Sequence, residues 1–258
     1  MKKKIIGIFS GKGGVGKTTV AINLASALSS LGKRVALVDC NFTAPHLSVY
    51  LNIHLTPLTL NYLLSSNAKL EDVVHRYGEM DVLPASLDPY EGAGIKVERL
   101  EKHLREYLSH GDFVILDTAP GFGREALSAA QVCDECLIIA TPDLPAITDV
   151  IRGTRILKDM GIDVRGIVLN KVTGKKFEFS PKEVEALTDL RVLAIIPFSH
   201  KFQESQNLRV PLVEFDAYSL PSIKFKYLAA EIAEEELVIE IPLLDKVKIF
   251  FQRSFKRF

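Results

Sequence analysis

The chain has 258 residues, 47% hydrophobic and 25% charged, the proportions of an ordinary globular protein near the length at which one α/β domain stops growing. Lys+Arg and Asp+Glu number 32 each, so the formal net charge is zero and coating of nucleic acid by bulk electrostatics is excluded. Cys40, Cys133 and Cys136 are a sparse, odd set of thiols, which excludes a disulfide-stapled secreted module and points to a reducing cytosol.

In chain order, Met1 to Lys4 mimics the start of a signal peptide, but the apolar run behind it, Ile5 to Phe9, is short and enters a glycine-rich loop, so it reads as a first strand. Further strands are predicted over 34–39, 80–84, 112–117, 135–140, 163–170 and 191–197, most of them continuous apolar runs of the kind buried on both faces of a parallel sheet. Between them, helices are predicted over 17–31, 97–108, 146–160 and 222–236. This βαβ alternation is that of an α/β, doubly wound, mostly parallel sheet. No uncharged apolar run approaches the roughly 18 residues needed to cross a bilayer. No repeat or Gly/Ser linker divides residues 1–241, which are read as one domain.

Directly after the first strand, Gly11-Lys12-Gly13-Gly14-Val15-Gly16-Lys17-Thr18 fits the G-x-x-x-x-G-K-[ST] phosphate loop and runs into a helix, the context that motif requires. The glycines let backbone N–H groups turn inward around phosphates, and the helix N-terminus adds partial positive charge. Lys17 is placed to reach the β- and γ-oxygens, and Thr18 to offer its hydroxyl to Mg²⁺. ATP and Mg²⁺ are the expected cofactors.

With Lys12 inside it and Thr19 behind it, this string resembles the deviant Walker A motif of the MinD/ParA family of P-loop ATPases. The resemblance extends from residue 4 to about 237 and implies several roles. Lys12 would reach the partner's nucleotide in an ATP-bound homodimer, much as an arginine finger supplies charge in trans. Asp39, ending Val35-Ala-Leu-Val-Asp39, would lie near the magnesium and open the first switch. Asp117, ending Phe113-Val-Ile-Leu-Asp117, would be the Walker B carboxylate, with Thr118 to Gly121 as the second switch and the Gly121 N–H approaching the γ-phosphate. Thr18, Asp39 and Asp117 thus form the implied metal set. Asn170 would read the adenine edge, and Pro197, with the later 209–211 segment, would close over the base.

The chain departs from that pattern at Asn41, where many members carry a second aspartate that orients the attacking water. A carboxamide holds water but accepts no proton, so hydrolysis is predicted to be slow. The resemblance adds the expectation of an activating protein partner. Cys133 and Cys136 form a C-x-x-C without histidines or a second pair, read as buried structural thiols, with an iron–sulfur cluster or zinc, or redox use, as the alternatives.

Residues 231–240 carry five glutamates and read as a solvated helix face. After Pro242 the last sixteen residues carry five Lys/Arg and one Asp, leaving the remainder at a net −4. On a helical wheel, Leu243, Leu244, Val247, Phe250, Phe251, Phe255 and Phe258 fall within an arc of about 140°, with the basic residues opposite. Residues 242–258 therefore predict an amphipathic helix that docks on anionic lipid, with packing on the domain or on a protein partner as alternatives. The resulting expectation is a MinD-like, ATP-dependent dimerising switch that sits peripherally on the inner membrane face and positions a partner. The alternatives are an Mrp-type iron–sulfur carrier and a ParA-type DNA partition ATPase, the latter disfavoured by the acidic body.

Overall fold

The computed structural model describes residues 3–53, 56–92 and 99–242. Its strands are β1 (Lys4–Phe9), β2 (Val35–Cys40), β3 (His75–Tyr77), β4 (Met80–Leu83), β5 (Phe113–Thr118), β6 (Glu135–Ala140), β7 (Asp163–Val172) and β8 (Val192–Pro197). They form one eight-stranded sheet in the order β3-β4-β2-β5-β1-β6-β7-β8, parallel except for β3 against β4. The helices are α1 (Lys17–Ser30), α2 (Leu47–Tyr50), α3 (Leu60–Ser65), α4 (Leu70–Val73), α5 (Leu100–Tyr107), α6 (Arg124–Ala130), α7 (Leu144–Asp159), α8 (Pro181–Thr188), α9 (Lys201–Asn207), α10 (Leu212–Phe215) and α11 (Leu220–Ala233).

The strands read as unbroken apolar runs because alternate residues enter two different cores. Ile6, Ile8, Leu37, Ile115 and Ile139 pack under α1 and α11, while Ile5, Phe9, Val38, Leu116 and Ile138 pack under α5, α6 and α7. A side chain on either face is dehydrated, so polar alternation has no place in these segments.

Strand β3 is not legible in the sequence. It is three residues long, and it forms as the outer arm of a hairpin in which Arg76 pairs with Asp81 and Glu79, each at 3.0 Å. Short helices such as α2, α9 and α10 escape periodicity for the same reason, since one or two turns establish no stripe. The helix predicted over 222–236 ends at Ala233, because Glu234 takes a left-handed conformation (φ 57°). Of the five glutamates only Glu231 therefore lies on a helix, and the other four follow it. Glu234 and Glu235 pair with Lys4 and Lys33, fastening the chain beyond α11 to the amino-terminal ends of the strands, where β1 begins and β2 is entered. The tail helix predicted for 243–258 lies outside the described residues. No helix among the described residues is long and apolar enough to cross a membrane.

Gly153 lets α7 close on the segment that follows β5. A Cβ there would overlap the ring of Phe122, which stacks on Phe9 with centroids 6.5 Å apart. Gly153→Leu is expected to destabilise the fold by about 1–3 kcal/mol, seen as a lower urea midpoint at unchanged m-value. An unchanged midpoint would show that Phe122 swings aside without resistance.

Candidate nucleotide site

At the carboxyl ends of the central strands lies a cavity of about 490 Å³, bounded by residues 10–19 on one side and the ends of β7 and β8 on the other. Its position follows from topology. The connection after β1 leads leftward to β2, while the one after β5 crosses back over β1 to β6, and the crevice opens where these directions diverge.

The loop between β1 and α1 turns through Gly14 and Gly16, whose φ values of 79° and 95° are ones a side chain resists. At Gly16 a Cβ would also fall on the Asn170 amide. Helix α1 has no side-chain cap and no acidic residue in its first turn. Its first N–H groups and positive end are thus left for an anion. The end of β7 braces this loop. Asn170 Nδ2 donates to Val15 O at 2.7 Å, and Lys171 Nζ donates to Gly14 O at 2.6 Å.

Beneath the loop, the parallel register sets Asp39 of β2 directly beside Asp117 of β5, and Asp117 beside Ile8 of β1. Both carboxyls are 0–1% exposed. Burial, then the neighbouring charge on Asp117, pushes Asp39 well above the usual carboxylate range, against backbone N–H bonds from Asn41 (3.1 Å) and Leu47 (3.2 Å). Burial likewise raises Asp117, opposed by the Lys17 ammonium, the Thr18 hydroxyl and His46. Asp117 Oδ1 is buried without a hydrogen-bond partner among the described residues, an acceptor that the hydration shell of a magnesium ion would satisfy. Thr18, Asp39 and Asp117 are a hard oxygen set of the kind Mg²⁺ takes, so the residues present fit the ion.

The other residues singled out in the sequence are placed as follows. Lys12, Gly13, Gly14, Val15, Gly16, Lys17, Thr18, Thr19, Asn41, Asn170 and Pro197 line the cavity. Gly11 packs against Asp149 of α7 behind it. Gly121, at φ 79°, donates its N–H to Ser10 O at 2.9 Å, so in this structure the N–H expected at the γ-phosphate is taken up by the residue before the phosphate loop. Lys12 Nζ pairs with Asp143 Oδ1 at 2.9 Å, with both side chains about two-fifths exposed. Asn41 directs its carboxamide into its own loop, Nδ2 to Ala44 O at 2.7 Å and Oδ1 from Ala44 N at 3.3 Å.

The 209–211 segment stands away from the cavity, with Arg209 bonded to Asn52. Beside Asn170 and Pro197 the cavity is lined instead by Phe198, Phe202, Gln203 and Gln206. Gln206 Nε2 reaches Thr19 Oγ1 at 3.1 Å, a contact no local pattern announces. His46 also enters the cavity unheralded. Its sequence signal is a polar residue closing a loop that starts at the strand-end Asp39.

A glycine-rich loop that bares a helix N-terminus, with a buried lysine and two strand-end carboxylates beneath it, defines the class as P-loop nucleoside triphosphatase. The ParA family profile, described as NUBPL iron-transfer P-loop NTPase, matches residues 1–233, and the chain belongs to the ParA/MinD family of P-loop ATPases. It is 31% identical over 253 residues, 97% of this chain and 94% of the relative, to an uncharacterized ATP-binding protein of Methanocaldococcus jannaschii. It is 30% identical over 254 residues, 91% of this chain and 85% of the relative, to an iron–sulfur cluster carrier protein of the same organism. The septum site-determining protein MinD of Pyrococcus horikoshii, solved with Mg-ADP, superposes with a TM-score of 0.84 at 29% identity, covering 90% of this chain and 96% of that one.

Proposed function

We propose that this chain is a MinD-like molecular switch, which dimerises on binding Mg-ATP, docks on anionic membrane through residues 243–258, and releases after slow hydrolysis stimulated by a protein partner. Its place would be the inner face of the cell membrane, and its output the positioning of that partner or of a cellular structure.

The observation that carries this reading is Lys12. Its ammonium sits at the cavity rim on Asp143, in a half-exposed pair of the kind worth about 0–1 kcal/mol, so exchange for a partner's phosphates costs little. A cation delivered across a dimer face adds charge where a phosphoryl transition state develops it. Within one subunit, the phosphate loop would hold the β- and γ-phosphates through its N–H groups and Lys17, while Thr18, Asp39 and Asp117 would hold Mg²⁺, which neutralises phosphate charge when bound. At position 41 an amide committed to Ala44 stands in place of a carboxylate that could take a proton from water, which supports slow turnover. A long-lived ATP state suits a switch. One tail helix would bind a membrane marginally, and two in a dimer far better.

Similarity to an iron–sulfur carrier raises the alternative of cluster transfer. Cys133 and Cys136 are 8% and 0% exposed in the core, and burial raises both thiols, Cys136 to about 12. A cluster at that pair would require the core to open, so the switch reading is preferred.

The test is co-sedimentation with anionic liposomes under ATP and ADP, for the full chain, a chain ending at residue 241, and Lys12→Ala. The full chain is expected to pellet with ATP alone, and neither variant to pellet. Full-chain protein that stays in the supernatant with ATP would overturn the membrane switch.

A further inference from the structure

The loop from Asn41 to Leu47 is clipped at both ends to one carboxyl group, since Asp39 accepts from the N–H of Asn41 through one oxygen and from that of Leu47 through the other. Two of its polar side chains are already engaged. Asn41 is bonded through both amide atoms to Ala44, and Thr43 donates its N–H and hydroxyl to Glu125 of α6 at 3.1 and 2.7 Å. His46 differs. Its side chain is exposed, it lines the same cavity as Lys17 and Thr18, and its ring rests on Tyr50 with centroids 6.3 Å apart.

We infer that His46 donates a ring N–H to the γ-phosphate of bound ATP and so makes this loop the element that distinguishes ATP from ADP. The inference rests on the switch reading above, and it names the side chain through which the first switch registers its nucleotide. An imidazole carries at least one N–H donor in either protonation state, so the contact needs no particular charge. Because the loop is tied at both ends to Asp39 and at its middle to α6, a pull on His46 would be felt by α6, the helix that follows the 118–121 segment, through the Thr43–Glu125 bonds. The residue is a binding and positioning group, distinct from the loop that cradles the phosphates.

The experiment measures the affinities of Mg-ATPγS and Mg-ADP for the full chain, His46→Ala and His46→Gln by competition with a fluorescent ADP. His46→Ala is expected to bind ATPγS about tenfold more weakly with ADP affinity unchanged, the loss of one hydrogen bond to a charged group. His46→Gln, which keeps an N–H donor of similar reach, should recover most of the difference. Equal losses for both nucleotides would mark His46 as structural and overturn the inference, as would an unaltered ATPγS affinity. A parent chain that binds neither nucleotide would overturn the switch reading itself, whereas a parent that binds both with His46→Ala indistinguishable from it overturns the His46 assignment alone.

Discussion

Lys17→Ala is expected to lower ATP affinity by about two to three orders of magnitude, measured by titration with a fluorescent ATP analogue. Lys17 is 8% exposed at the first position of α1, with its stem packed and its ammonium near Asp117. There it would neutralise phosphate charge at the floor of the cavity. Each hydrogen bond to a charged group is worth about 1.5–3 kcal/mol, and a lysine contacting two phosphates makes at least two. The backbone N–H groups remain, so residual weak binding is the expected floor. An affinity within tenfold of the parent would mean that the loop binds anions through its backbone alone, and that Lys17 serves mainly to offset Asp117.

Asp117→Asn is expected to separate stability from activity. Asp39 and Asp117 lie side by side and buried, and burial raises both carboxyls above their ordinary range. A carboxyl held above its unfolded value favours the folded state at low pH, and that contribution is lost as pH rises through the folded value. At neutral pH without nucleotide, two adjacent buried carboxylates therefore weaken the fold. Removing one charge should raise the melting temperature of the nucleotide-free protein, by about 2–4 °C for each kcal/mol relieved. It should also flatten the decline in stability between mildly acidic and neutral pH. The same change would remove an acceptor for the ion's hydration shell and should reduce Mg²⁺-dependent ATP hydrolysis about a hundredfold or more. Thermal melts across pH in EDTA, beside ATPase assays with Mg²⁺, read the two effects separately. A lower melting point at neutral pH would show that Asp117 is held by interactions that outweigh its burial.

What the sequence determined by itself is whatever short runs encode. Continuous apolar strands between amphipathic segments prescribe a sheet covered on both faces, because each residue type has to be dehydrated on whichever side it falls. The phosphate loop is legible because its chemistry acts through backbone conformation, and glycines at 14 and 16 are what those left-handed turns require. Asp39 and Asp117 could be nominated because each ends an apolar strand. That they stand side by side could not, since it depends on β5 inserting between β1 and β2, an order that no local pattern carries.

The brace from Asn170 and Lys171, the seat of Gly16 against Asn170, and the fit of Phe122 to Gly153 likewise join segments far apart in the chain. Asn41 is the instructive exception, because its bonds to Ala44 are local. The loop satisfied its own backbone with the side chain that seemed free for water, a choice fixed once Asp39 had claimed both ends of the loop. Residue types near one another fix backbone shape and the chemistry on offer. Which groups meet, and which remain open to a ligand, is decided by strand order and register, because those set the distances over which hydrogen bonds and charges act.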